Sequence, residues 1–192
     1  MTQKQIKLGA FLMAPGHHVA AWRHGSAQPD LGANFKAYAK IAQEAEAAKF
    51  DLLFLDDIVA VKDTSRDVGP RLSRAAFFEP ISLLSGLAAV TERIGLVGTV
   101  STTYNDPYTL ARKFASLDLI SEGRGGWNLV TSNTDEEAAN YGPNAICRIT
   151  SAMSVPRNLP MSCWASGAAM RMTPSAAIRK TAFITTRTSN MC

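Results

Sequence analysis

Between residues 6 and 142 the sequence repeats one pattern, a short apolar run followed by a segment with helical spacing, and this alternation restricts the chain to a parallel βα architecture. The first run, IKLGAFLM (6–13), stops at Pro15-Gly16 and has the length of a buried strand. Asn34 can cap a helix whose apolar positions Phe35, Tyr38, Ala42, Ala45 and Ala48 recur every three to four residues, leaving Lys36, Lys40, Glu44 and Glu46 for the wet side. In DLLFLDD (51–57), consecutive apolar residues lie between acids, as in a strand covered on both faces. Glu79-Pro80 opens a second helix through ISLLSGLAAVTER, with Pro in the first turn and Glu92-Arg93 at the end. The β-branched run IGLVGTVST (94–102) is a third strand. Asp106-Pro107 starts a third helix that Gly123 can cap, and GGWNLVTS (125–132) is a fourth strand. The acidic DEEAANYG beyond it reads as another helix or a long loop.

Right-handed crossovers turn such a series into either a doubly wound sheet or a barrel. No GxGxxG follows the first strand, where a dinucleotide-binding sheet needs glycines against the pyrophosphate, so the barrel is favoured. A complete (β/α)8 barrel takes roughly 250 residues, and the chain has 192. The expected class is therefore α/β, the N-terminal half of a TIM-type (β/α)8 barrel with about four βα units and an atypical C-terminal tail.

Composition marks where the pattern ends. All 16 acidic residues lie between Asp30 and Glu137; residues 1–137 carry 14 Lys and Arg for a net charge of −2, whereas residues 138–192 carry 6 and no acid. Cys147, Cys163 and Cys192 all fall late, with neither CxxC nor zinc-site spacing, and five of the seven Met residues join them. The division expected is 1–144 as the barrel unit and 145–192 as a separate tail. The basic pI of about 9.1 belongs to that tail, whose charges lack aromatic interleaving, so nucleic acid is not expected as a partner. No run reaches the roughly 18–20 apolar residues of a membrane span, and the N-terminus lacks a signal-peptide pattern. A cytoplasmic protein without membrane contact is expected.

In either architecture ligands bind at the carboxyl ends of the strands. Those positions are GHHVAAWRH (16–24), Asp56-Asp57, then Ser101, Thr102, Thr103, Tyr104 and Asn105, then Asn128, Thr131, Ser132 and Asn133. Hydroxyl, amide and carboxylate groups inside an apolar rim suit a large polar heterocycle. His17 and His18 could serve a substrate pocket or pack in their loop; adjacent histidines point to opposite sides of a strand and no ligand cluster accompanies them, so no metal is expected. Trp22 and Trp127 can anchor a core or loop or line a pocket. The Ser, Thr and Asn residues could equally cap helices. No Ser-His-Asp order and no phosphate-cradling glycine loop is visible.

The segments IKLGAFLMAPGHHVAAWRH, KFDLLFLDD, FEPISLLSGLAAVTERIGLVGTVSTTYNDPYTLARKFASLDLISEGRGGWNLVTS and NYG resemble, in order, the nitrilotriacetate monooxygenase component A and dibenzothiophene-sulfone monooxygenase family, within the bacterial-luciferase-like flavin monooxygenases. The resemblance covers roughly residues 3–144. It implies a barrel that binds reduced FMN supplied by a separate NAD(P)H:flavin reductase and uses O2 on a small organic substrate; a homodimer is compatible with it. Matched position by position, it makes Asp57 and Thr103, with Thr102 beside it, flavin contacts, and Asn128 and Ser132 further candidates. Apart from the resemblance, His17, His18 and Trp22 remain candidates for a substrate pocket by their position after the first strand, and no catalytic residue is assigned. A cofactor that carries the oxygen chemistry leaves the protein to hold the ring, orient substrate and exclude water, in keeping with the scarcity of acid–base constellations. A luciferase-like oxidoreductase using a deazaflavin, and a non-catalytic fragment, are the alternatives.

After NYG the sequence departs from the family, which continues with a flavin-contacting His and Tyr. The segment from Ala145 onward holds no His, no Tyr and no acid. Its abrupt composition is expected of an out-of-frame continuation; a coding sequence whose other two frames restore no family-like stretch would refute this. Four unclosed βα units leave edges and apolar faces to cover, so a truncated, inactive product is also an expectation.

Overall fold

Local chemistry sets where each helix begins. The computed structural model describes residues 6–18, 20–60, 77–132 and 134–142. In α1 (Phe35–Ala47) the Asn34 side chain accepts the Ala37 N–H at 3.1 Å. Before α2 (Pro80–Ala88) the Glu79 carboxylate accepts the N–H groups of Ile81 and Ser82 at 3.0 and 2.8 Å. Asp106 accepts the Thr109 N–H before α3 (Pro107–Ile120), and Thr134 accepts the Glu137 N–H before the short α4 (Asp135–Ala139). Each cap satisfies donors that have no partner inside the first turn, and Pro80 and Pro107 lack the N–H that would otherwise be orphaned.

The strands β1 (Gly9–Leu12), β2 (Leu52–Leu55), β3 (Gly95–Ser101) and β4 (Gly125–Val130) form one parallel sheet in the order β1-β2-β3-β4. Spatial order equals chain order, so the described strands contain no reversal of the kind that creates the crevice of a doubly wound sheet. The architecture is that of a partial TIM-type barrel. All four strands are shorter than the apolar runs: Ile6 and Leu8 are exposed before β1, and Asp56 and Asp57 lie beyond β2.

Strand alternation divides the sheet into two faces. Leu53, Leu55, Leu96 and Val100 turn towards the helices and are buried with Tyr38, Leu84, Leu87, Leu110 and Leu117. A Cβ on Gly98 would come within 2.9 Å of Leu84 and 3.3 Å of Pro80, so α2 packs almost on the backbone of β3. Removing one of these fully buried leucines to alanine costs about 2–5 kcal/mol. Trp127 belongs to this core: its ring stacks on Phe114 at 5.0 Å and its Nε1–H donates to the Val100 carbonyl. The opposite face carries Phe11 against Phe54, ring centroids 4.8 Å apart.

The amino ends of the strands are cross-braced. Asp51 accepts from the Leu8 N–H and from Lys7, joining the approaches to β1 and β2. Glu46, expected on the wet side of α1, accepts the backbone N–H groups of Glu92, Arg93 and Ile94 at the entrance to β3. Arg124 donates to the carbonyls of Ser121, Ile94, Ala88 and Thr91 and to the Thr91 hydroxyl. This explains a correction: α2 stops at Ala88 instead of running to Glu92-Arg93, because Arg124 and Thr91 take over the carbonyls that further turns would have used. Gly123, in the expected capping region, has φ 87° and donates to Asp118 O at 2.8 Å. No helix among the described residues is long and apolar enough to cross a membrane. The tail from residue 145 lies outside the described residues.

Candidate functional site

Polar side chains gather at the carboxyl ends of β3 and β4. One layer inside the strands, Thr99 donates to the Leu55 carbonyl at 2.9 Å and accepts from Asn128 Nδ2 at 2.9 Å, tying β2, β3 and β4 across the sheet. Asn128 is thus buried and committed to Thr99. At the strand ends the Ser101 hydroxyl oxygen receives the N–H of Thr103 at 3.2 Å and that of Ser132 at 3.1 Å, and lies 2.8 Å from Ser132 Oγ. The Ser132 N–H is shared with Thr103 Oγ1 at 3.0 Å. Thr102 faces its neighbour strand, both its N–H and its hydroxyl bonding to the Val130 carbonyl. Of the residues singled out from the sequence, Thr103 and Ser132 share one hydrogen-bonded cluster, Asn128 sits a layer deeper, and Thr102 extends the ladder.

Asp57 follows β2 in a crowded acidic setting. Burial pushes its carboxyl up to about 6, and the charges of Glu79, Asp56 and Glu137 add to the effect, while the Ile58 N–H works against it. Glu137 arrives on α4 and is buried. Beyond α4, Tyr141 stacks on Tyr104 with centroids 4.0 Å apart and planes 7° from parallel. Burial raises both phenols above their ordinary value, Glu137 and Tyr141 contributing at Tyr104, and Asp57 and Glu137 at Tyr141. The Tyr104 hydroxyl is buried with no hydrogen-bond partner among the described residues.

The β1 loop places its candidates mostly against its own chain. His17 stands edge-on to Phe11 at 4.8 Å with Nε2 3.2 Å from the Phe11 carbonyl. His18 Nδ1 accepts the Ala20 N–H, and Trp22 lies under the Arg23 guanidinium at 4.9 Å. Among the described residues no group of three or more His, Cys, Asp or Glu could hold a metal ion. Sequence reasoning named Ser101 only as one of the residues following β3 and passed over Glu79, Glu137 and Tyr141 as site residues. The alternation of Ser101 with Thr99 and Thr103 on one face is the signal that sets it apart, but Glu137 and Tyr141 reach the site only through the path of the chain after β4.

What fold and site define together is a parallel βα partial barrel with a polar, hydrogen-bonding face at the carboxyl ends of its strands. The chain belongs to the luciferase-like monooxygenase family, whose family model matches residues 13–150. It is 48% identical over 139 residues to N-acetyl-S-(2-succino)cysteine monooxygenase of Bacillus subtilis (strain 168), covering 72% of this chain and 30% of that protein. With nitrilotriacetate monooxygenase component A of Aminobacter aminovorans it shares 47% identity over 146 residues, 72% of this chain and 32% of the relative. Among solved structures, DmoA from Hyphomicrobium sulfonivorans superposes with a TM-score of 0.75 at 30% identity over 84% of this chain and 36% of that one. A riboflavin lyase solved with modified FMN and riboflavin gives 0.64 at 31% identity, covering 79% and 37%. The chain therefore spans about a third of the length of the curated relatives it matches.

Proposed function

We propose that residues 1–144 form the flavin-contacting part of a monooxygenase that takes reduced FMN from a separate NAD(P)H:flavin reductase and uses O2 on a small organic substrate. The observation that carries this reading is the donor set at neighbouring strand ends: a carboxyl pushed to about 6 after β2 and a Thr103–Ser132 hydroxyl pair after β3 and β4. A reduced flavin ring offers carbonyl oxygens as acceptors and ring N–H groups as donors. Hydroxyls suit the first, and an Asp57 poised between its acid and carboxylate forms suits either. The chemistry of the residues present therefore fits the group. Asp57, Thr103 and Ser132 would hold it, with Asn128 bracing from below and Thr102 fixing the backbone between them. When bound, the reduced cofactor supplies the electrons with which O2 is activated.

The chain's own contribution is binding and shielding. Phe11 and Phe54 offer an apolar wall on the same face, and His17, His18 and Trp22 sit on the loop above β1, where substrate would enter. A homodimer and a cytoplasmic location go with this reading. Anaerobic titration of the 192-residue chain with reduced FMN and, separately, a reduced deazaflavin tests it. Saturable binding of reduced FMN in preference to the deazaflavin supports it; preference for the deazaflavin moves the chain to a different oxidoreductase class, and binding of neither refutes it. Oxygen consumption with a flavin reductase present then tests turnover.

A further inference from the structure

At the carboxyl ends of β3 and β4 three donors converge on the Ser101 hydroxyl oxygen. A hydroxyl oxygen accepts through two lone pairs and donates one proton. Ser101 Oγ receives two backbone N–H groups, those of Thr103 at 3.2 Å and Ser132 at 3.1 Å. Ser132 Oγ donates to the same oxygen at 2.8 Å, so the Ser132 hydroxyl proton is spent inside the cluster. Thr103 Oγ1 accepts the other share of the Ser132 N–H, and among the described residues its own proton has no acceptor. Ser101 is itself buried, where an unmet hydroxyl is costly, so this arrangement is strongly held.

We infer that Ser101 is a positioning residue that locks the ends of β3 and β4 together and turns the Thr103 hydroxyl into a donor for an acceptor atom of a ligand, a carbonyl oxygen or ring nitrogen of a heterocycle. The ligand half of this inference rests on the flavin reading; the lock does not. Ser101 makes no contact with the ligand and acts through its neighbours.

Two measurements on the 192-residue chain separate these halves. The first is backbone amide exchange of the ligand-free protein. Ser101→Ala raises exchange at Thr103 and Ser132 about tenfold while Leu96, in the core of the same sheet, is unchanged, and Ser101→Thr restores the slow rates. The second is the Kd for reduced FMN in a double-mutant cycle. Loss of one well-placed hydrogen bond weakens binding about tenfold, so Ser101→Ala does so in the native background and changes Kd less than twofold when Thr103 is already Val. Equal losses in both backgrounds, or unchanged amides, overturn the inference. Absence of saturable binding of reduced FMN by the native chain overturns the flavin reading, and the amide result still decides the lock. If Ser101→Ala does not fold, Ser101→Cys against Ser101→Thr carries the same comparison, cysteine keeping the size but not the strong acceptor.

Discussion

The two ends of this sheet are built on opposite principles. At the amino ends the polar groups are cross-braced: Glu46 receives three backbone N–H groups, Arg124 engages four carbonyls and a hydroxyl, and Asp51 bridges the approaches to two strands. At the carboxyl ends the same kinds of group are left in tension. Asp57 is half-buried near Glu79, Asp56 and Glu137, and the Tyr104 hydroxyl is buried without a partner among the described residues. In a βα barrel the amino face carries stability and the carboxyl face carries ligands; here that division is written in hydrogen-bond satisfaction. A group strained in the absence of ligand can gain when a ligand arrives, whereas a satisfied group cannot.

The largest test of this contrast is Arg124→Ala. It strands carbonyls at the end of α2 and before β3 and should cost about 3–4 kcal/mol in chemical denaturation. Arg124→Lys should recover less than half, since an ammonium lacks the planar fork that reaches these acceptors. A loss under 1 kcal/mol would show that the amino end is not the braced one.

Asp57→Asn should act in the other direction. A carboxyl whose folded value lies above its unfolded one binds its proton more tightly in the native state, so the native protein loses stability as pH rises from about 4 to about 6 and stays lower above that. The variant should therefore be more stable than the native chain at pH 7, by about 1–2 kcal/mol after allowing for partial solvent screening, and equal to it near pH 4. A variant that is less stable at pH 7 would mean that Asp57 is satisfied.

Glu46→Gln is smaller and has the opposite pH dependence. Burial resists ionisation of Glu46, but the N–H groups of Arg93, Ile94 and Glu92 outweigh it and hold the carboxyl below its ordinary value. Its advantage is complete above the unfolded value and fades as pH falls through the lowered one. The substitution should cost about 1 kcal/mol at pH 7 and progressively less in acid; a pH-independent cost would remove the charge from the explanation. Least of all, Tyr104→Phe should raise stability by about 0.5 kcal/mol, because it deletes a buried hydroxyl that nothing among the described residues satisfies. A loss larger than that would reveal a bond at this hydroxyl.

The same contrast explains what was legible in the sequence. Asn34, Glu79 and Asp106 announce helix starts because capping is local, and four apolar runs announce four strands because burial is periodic. The early end of α2 was hidden because Arg124 reaches Ala88 across 36 residues, and the role of Glu46 was hidden because its N–H partners lie 46–48 residues away. At the carboxyl end, Asp57, Thr103 and Ser132 could be singled out by position after strands and by family resemblance. The crowding that raises Asp57 could not, since Glu79 reads as a helix start and Glu137 as one of several acids in another helix or a long loop. No sequence pattern distinguishes an acid that caps from an acid that also repels a neighbour.

The most direct test of the division is a paired measurement of unfolding free energy and FMN affinity for Thr103→Val and Arg124→Lys. If the two ends carry separate duties, Thr103→Val leaves stability within about 0.5 kcal/mol and weakens FMN binding about tenfold. Arg124→Lys then lowers stability by more than 1 kcal/mol and leaves the affinity of the folded chain unchanged. Finding that both substitutions shift the same quantity, or that Thr103→Val leaves FMN affinity untouched, would contradict it.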